Sequence, residues 1–273
     1  MPKDLRIAIL GAGRLGEALI RGLLDSALVT TERLLATVAT SARAELLRKK
    51  YGLHVTAGSN GAAVAGADAV ILAVKPGNVA AVLASVGPVF STRQIMISLV
   101  AAVPVRRIEG LLPAGTPVFR AMPNIAMTVR QSATALCANA SATSEQRCAV
   151  ERMFRTVGSL EWVEESAMDA ATGLSGSGPA FVFHVLAALT AGGDKAGLPK
   201  AVAYRLARQT LQGAARLAIE TNLTPNEWIE QVKTPGGTTV EGLTVLEEAE
   251  VQEAFVEAVA CASRRAARLS ENL

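Results

Sequence analysis

Residues 7–19 read IAILGAGRLGEAL: an apolar run, three glycines within six positions, and a segment whose leucines return at helical spacing. Apolar residues that stop at glycines and resume as a helix dictate a strand, a tight turn and a helix in succession. Leu15, Leu19, Leu23 and Leu24 carry the helical spacing over residues 15–26. Each glycine then has its own steric reason. Gly11 permits the turn, Gly13 lets a pyrophosphate approach the backbone, and Gly16 allows the helix to pack closely on the strand, so that the helix N-terminus faces the anion. The same pattern also suits a purely structural turn, so its context has to decide.

The context is a run of alternating elements. Residues 1–162 hold short β-type runs, RIAIL, LLATV, AVILAV, QIMISLV and PVFRAM, interleaved with helix-like stretches. Strands alternating with helices build βαβ units and a parallel sheet. Runs that are apolar throughout, such as AVILAV, suit strands buried on both faces. From about residue 163 the texture changes to helical segments, GPAFVFHVLAALTAGGDKAG, PKAVAYRLARQTLQGAARLAIE, TPNEWIEQV and TVEGLTVLEEAEVQEAFVEAVACASRRAARLSEN, punctuated by proline, glycine and threonine. The expected fold is therefore an α/β Rossmann-type N-terminal domain with a mainly parallel sheet over 1–162, followed by an all-α C-terminal domain over 163–273. With 273 residues, half of them apolar and 19% charged, the chain has material for two packed cores.

In that setting the glycine turn is expected to hold a dinucleotide. An NAD site places an Asp or Glu about 20 residues on, where it bonds the ribose hydroxyls. Here the region reads ATVATSARAEL, with no acid before Glu45. It offers Thr40, Ser41 and Arg43 instead, two hydroxyls and a guanidinium suited to a 2′-phosphate. NADPH is expected over NADH, which stays open as a second donor; Arg43 on a solvated helix face is the competing reading.

Little else in the chain can do chemistry. The two histidines, His54 in YGLHVT and His184 in AFVFHVLAAL, have no acid, serine or cysteine at a triad spacing, and read as structural. Metal-ligand spacing is absent, so no metal is expected. A nicotinamide enzyme needs neither, because the cofactor carries the hydride while the protein supplies position, electrostatics and a proton. Two polar glycine-rich stretches, TGLSGSGPAF (172–181) and KTPGGTTVEGL (233–243), read as loops running into helices. Such helix starts capture carboxylates or phosphates, and equally serve as caps and chain reversals. Beside a dinucleotide domain they suggest a small acidic substrate.

These stretches carry a resemblance. GAGRLGEAL, AVKP (73–76), RAMPN (120–124), TGLSGSGPAF, AGLP (196–199) and TPGGTTVEGL occur in the order seen in the pyrroline-5-carboxylate reductases, and the likeness spans essentially the whole chain. The family implies NAD(P)H-dependent reduction of the cyclic imine L-1-pyrroline-5-carboxylate to L-proline, with hydride passing from nicotinamide C4 to the imine carbon. Its cofactor positions map onto the loop Gly11, Ala12, Gly13, Arg14, Leu15 and Gly16, the hydroxyls near Ser41, Asn60, the turn Ala73, Val74, Lys75 and Pro76 under the nicotinamide ribose, and Leu99, Val100 and Ala101. The substrate carboxylate would lie on the N–H groups of Gly237, Thr238 and Thr239, with the Thr239 hydroxyl on the ring nitrogen and Glu165 at a family position near it. A threonine hydroxyl is a poor acid, so its first role is orientation, with the proton coming from water or from an imine already protonated. The sequence departs from the family at Ile125-Ala126 after MPN, at Phe181 after SGSGPA, and at Ala102, where glycine is usual. The last departure touches the backbone near the nicotinamide, since glycine tolerates dihedrals that alanine resists.

The family also implies a homodimer interlocked through the helical half, often assembled further into a higher homo-oligomer, a ring of dimers, and the Ala-rich helices, apolar on more than one face, agree with the dimer. The rivals are a related imine or β-hydroxyacid reductase, which would place a lysine or aspartate on the helix 179–191, where none stands, and a silent NADP-binding regulator with a degraded PGGTT turn. A net charge of +3 without a basic stripe argues against a nucleic-acid partner. Three scattered cysteines (Cys137, Cys148, Cys261), no leader-like start and no uninterrupted apolar stretch of spanning length set the expectation of a soluble cytoplasmic protein.

Overall fold

Eight strands form one sheet: β1 (Ile7–Leu10), β2 (Leu34–Val38), β3 (His54–Ala57), β4 (Ala69–Leu72), β5 (Ile95–Ser98), β6 (Val118–Met122), β7 (Ser132–Ala138) and β8 (Gly158–Trp162). Their order is β3-β2-β1-β4-β5-β6-β7-β8, parallel through β6. β7 returns antiparallel to β6, and β8 lies parallel to β7. The first six strands thus have the doubly wound order, whose reversal between β1 and β4 opens a crevice at the strand C-termini.

Every residue of β1, β4 and β5 is buried. Side chains alternate between the two faces of a strand: Ile7, Ile9, Ala69, Ile71, Ile95 and Ile97 join one core, while Ala8, Leu10, Val70, Leu72 and Met96 join the other. Each large aliphatic so buried contributes about 1.5–3 kcal/mol relative to exposure. The five expected strands are present as β1, β2, β4, β5 and β6, and β3, β7 and β8 are additional to them.

The helices flanking the sheet are α1 (Arg14–Asp25), α2 (Ser41–Tyr51), α3 (Asn60–Val64), α4 (Val79–Val86), α5 (Val105–Glu109) and α6 (Ser144–Arg155). Then follow α7 (Met168–Ala171), α8 (Gly178–Lys195), α9 (Lys200–Glu220), α10 (Pro225–Val232), α11 (Thr238–Glu248) and α12 (Val251–Glu271). α10 starts where the sequence marks it, with Pro225 in its first turn and Thr224 and Glu227 closing a capping box.

The computed structural model describes residues 5–271. The chain forms two compact units, one running to Ser177 and resuming at Cys261, the other Gly178–Ala260. The sheet ends at Trp162, where the sequence changes texture, yet 163–177 and the end of α12 belong with the sheet unit.

TGLSGSG differs from its expected form. Residues Thr172–Gly176 make one π-helical turn that joins α7 to α8, so the amides here lie inside a helical run from Glu165 to Lys195 rather than at a loop-to-helix start. Pro179 has no N–H to give to the preceding turn, and a widened ladder absorbs that. That run is long and apolar enough, by length and composition, to cross a membrane.

Candidate active site

The glycine turn leaves the C-terminal end of β1 and is tied to its neighbour. The N–H groups of Gly11 and Ala12 both donate to Thr37 O, at 3.0 and 2.8 Å. Gly11 sits at φ +83, and a Cβ there would stand 2.5 Å from Val74 Cγ1, so glycine is required both by conformation and by the close approach of AVKP. Gly13 is different: a Cβ would meet nothing nearer than Gly11 O at 3.9 Å. Gly13 is also the N-cap of α1 and brings no side chain to its first-turn amides. Open space before uncapped N–H groups at the positive end of a helix suits an anion.

The other expected cofactor positions gather at the C-terminal ends of the parallel strands. Thr40 caps α2, accepting from Arg43 N–H at 3.3 Å, and Ser41 is exposed beside it at the helix start. Asn60 opens α3 with its Oδ1 accepting from the Thr37 hydroxyl at 2.6 Å, which ties it to the strand end that holds the glycine turn. Ala73 and Val74 are half-buried and Lys75 and Pro76 exposed after β4. Leu99 and Val100 point into the core after β5, so only their backbone, with the half-buried Ala101, can meet a ligand. Ala102 has φ +62, the left-handed region that glycine occupies freely. The backbone turn is thus kept despite the alanine.

Arg43 does not lie on a solvated face. Its guanidinium reaches back to Ala12 O (3.4 Å) and Gly13 O (3.5 Å) and pairs with Glu17 of α1. Lys50 Nζ and the Tyr51 hydroxyl also donate to Glu17, at 2.7 and 3.0 Å. Burial works to raise the Glu17 pKa, but hydrogen bonds from Lys50, Arg43 and Tyr51 outweigh it and hold the carboxyl below its ordinary value.

Sequence reasoning gave no role to two residues of RAMPN that the structure brings forward. Asn124, buried at the end of β6, accepts from Ala126 N–H at 3.0 Å and donates to Ser175 O at 2.9 Å, pinning the π-helical turn. Arg120, its side chain only 3% exposed, faces Glu165 at 3.8 Å and Asp169 at 3.6 Å, while its Nε and Nη2 have no hydrogen-bond partner. A buried cation inside a strand was the available signal. Glu165 uses its Oε1 to accept from Val105 N–H at 2.6 Å, capping α5 at the end of the β5 exit loop. Across the strand pair, burial, reinforced by the nearby Glu165 charge, pushes the Cys137 thiol up to about 11.

In the other unit, PGGTT forms the start of α11. Gly236 takes φ +69 and Gly237 is the N-cap, again without a side-chain cap. The Gly237 N–H donates to Thr234 O at 2.8 Å, so it closes the turn instead of facing a ligand as expected. The first-turn amides of Thr238 and Thr239 remain. Thr239 lines a cavity of about 420 Å³ walled by Leu217, Trp228, Ile229, Val232 and Leu243.

Comparison with known proteins agrees with this arrangement. Residues 165–269 match the family described as pyrroline-5-carboxylate reductase dimerisation, and residues 6–102 match NADP oxidoreductase coenzyme F420-dependent. The chain is similar to the pyrroline-5-carboxylate reductase of Methanosarcina acetivorans, 40% identical over 98% of this chain and 99% of that protein. It is 37% identical to that of Synechocystis, with the same coverage. The solved pyrroline-5-carboxylate reductase of Coxiella burnetii superposes with a TM-score of 0.92 at 33% identity, covering 98% of this chain and 99% of that one. The Plasmodium falciparum pyrroline carboxylate reductase, solved with NADP bound, shares the fold at a TM-score of 0.87 and 24% identity, covering 98% and 99%. The resemblance read from GAGRLGEAL, SGSGPA and PGGTT therefore holds along the full length, and the chain belongs to the pyrroline-5-carboxylate reductase family.

Proposed function

We propose that this chain reduces L-1-pyrroline-5-carboxylate to L-proline, the last step of proline biosynthesis, with NADPH as the preferred hydride donor and NADH as a second. The observation that carries the reading is the PGGTT turn, intact and uncapped at Thr238 and Thr239, in a chain matched end to end by reductases of that name.

The residues present fit a dinucleotide phosphate. Open space at Gly13 and the uncapped first turn of α1 suit a pyrophosphate. Ser41, the Thr40 hydroxyl and Arg43 form a donor set for a 2′-phosphate where an NAD site would carry an acid. Asn60, tied to Thr37 at the strand end, and the backbone of Leu99–Ala101 would hold further parts of the cofactor, with Ala73–Pro76 under the nicotinamide ribose. When bound, the cofactor supplies the hydride that the imine carbon receives. The protein's own share is positional and electrostatic.

The amides of Thr238 and Thr239 bind the substrate carboxylate, and the Thr239 hydroxyl bonds the ring nitrogen, donating to the neutral imine or accepting from the iminium N–H, which fixes the face of the imine presented. Water or an already protonated imine delivers the proton, because a threonine hydroxyl lies far from the pKa of an efficient acid. Glu165, whose Oε1 accepts from Val105 N–H, is held near the ring nitrogen as a further substrate-binding group.

A homodimer built through residues 163–273 follows from the dimerisation match and from the apolar side chains those helices expose, among them Phe183, Leu206, Ile219, Val245 and Val256. The same interface accounts for the apolar run Glu165–Lys195. A cytoplasmic location belongs to the same reading, and the three free cysteines support it. The test is cofactor oxidation with pyrroline-5-carboxylate and with other cyclic imines, with proline formation measured in parallel. Proline formed in step with NADPH oxidation is expected. Oxidation of neither cofactor, or turnover only with another imine, overturns the reading.

A further inference from the structure

Arg43 is the cation expected to select the phosphorylated cofactor, yet its guanidinium is already engaged. It spans the glycine turn to Ala12 O and Gly13 O and pairs with Glu17, which lies 26 residues earlier in the chain. Glu17 belongs to the first turn of α1, the end of the helix that would face a pyrophosphate. Lys50 and Tyr51 at the end of α2 fix the carboxylate from the other side. The Arg43 and Glu17 side chains are 30% and 18% exposed, so solvent screens the pair only in part. Arg14 and Arg21 line a shallow pocket of about 220 Å³ with Glu17, Lys50 and Tyr51. Of the described residues that line this pocket, Glu17 is the one carboxylate beside Arg14, Arg21 and Lys50, and Arg21 pairs with Asp25 further along α1.

We propose that Glu17 sets the cofactor selectivity of this chain: it holds Arg43 against the glycine turn and offsets its charge, so that the 2′-phosphate must compete with a carboxylate for the same guanidinium. This rests on the reading of Arg43 as the 2′-phosphate ligand. Glu17 thereby keeps the discrimination between NADPH and NADH smaller than the Arg43, Thr40 and Ser41 set would give alone. Its charge opposes the pyrophosphate of both cofactors, but only NADPH gains from a released Arg43.

Glu17→Gln keeps the size and the hydrogen-bonding capacity and removes the charge. Dissociation constants for NADPH and NADH, measured by direct binding without substrate on the native assembly, read the effect. The ratio of the NADH to the NADPH constant is expected to rise by about fivefold, the order of one unit charge acting on a phosphate across a partly screened surface. In an Arg43→Ala background the same substitution should leave the ratio unchanged. A ratio that stays constant or falls in Glu17→Gln overturns the proposal, as does a rise that persists without Arg43. If Arg43→Ala weakens NADPH and NADH equally, the 2′-phosphate reading itself fails, and the proposal with it. Glu17→Asp, which shortens the reach to Arg43 and keeps the charge, gives a second measure should the glutamine variant fold poorly; a ratio above the parent's is expected, and a fall below the parent contradicts the proposal.

Discussion

Gly11 and Gly13 stand two residues apart in one turn, and replacing each by alanine should separate folding from binding. In Gly11→Ala the new methyl meets two obstacles. A φ of +83 costs a non-glycine residue about 1–2 kcal/mol. The Cβ would also stand 2.5 Å from Val74 Cγ1 and 3.1 Å from Ala73 O, whereas ordinary contact lies near 3.5–4 Å, so Val74 and its turn must retreat by about 1 Å. Overpacking of that kind costs about 1–3 kcal/mol, and the stiffer unfolded chain returns about 0.4–1 kcal/mol. A net loss of about 1–5 kcal/mol follows. In Gly13→Ala the backbone has negative φ, and the methyl meets only Gly11 O at 3.9 Å. Stability should fall by less than about 1 kcal/mol, the scale of an N-cap change. That methyl nevertheless fills the space a pyrophosphate needs, so NADPH affinity should drop at least about tenfold, or 1.4 kcal/mol. Urea unfolding at one fixed protein concentration and direct NADPH titration measure the two quantities. Wild-type affinity in Gly13→Ala, or wild-type stability in Gly11→Ala, would refute the steric assignment.

Three further outcomes follow from the same geometry. Asn124→Ala removes the hydrogen bonds to Ala126 and Ser175; it should destabilise by about 1–3 kcal/mol and lower kcat, and unchanged turnover would detach the π-helical turn from the chemistry. Thr239→Ala should lower kcat far more than it changes NADPH affinity, and equal kcat would remove the role given to its hydroxyl. For Cys137, whose thiol burial raises from an ordinary 9.0 to about 11, the folded chain holds the proton longer than the unfolded one. The stability this contributes is full below pH 9 and is lost as pH rises toward 11, by at most about 2–3 kcal/mol. Cys137→Ala should flatten the loss, and an unchanged alkaline limb in unfolding measurements would contradict the assignment.

What the sequence made legible follows from how directly each feature is written in neighbouring residues. β1, β4 and β5 declare themselves because strands buried on both faces must be apolar throughout. β7 hides because SATALCA is built from small residues, and its buried Ser132 and Thr134 satisfy each other at 3.1 Å instead of announcing a strand. β8, GSLEW, does alternate exposed Ser159 and Glu161 with Leu160 and Trp162, but five residues with one fully buried side chain make too short a signal. The glycine turn was readable position by position, since its constraints are local. The partner of Arg43 was not, because an acid was sought downstream at the end of β2 and the fold brings one from upstream, in α1. TGLSGSG reads as a loop by composition, yet Thr172 and Ser175 bond back to Met168 O and Ala171 O and keep it helical. At PGGTT the motif identified the turn, while only the three-dimensional hydrogen bonding shows Gly237 closing it onto Thr234 O.

The central claim is that a hydride from the nicotinamide reaches the imine carbon of pyrroline-5-carboxylate on this protein. Turnover with NADPH deuterated at the transferring C4 position, followed by mass analysis of the product, tests it without intermediaries. Proline carrying one deuterium at the former imine carbon is the predicted result. Unlabelled proline, or label oxidised out of the cofactor with no proline formed, would contradict it.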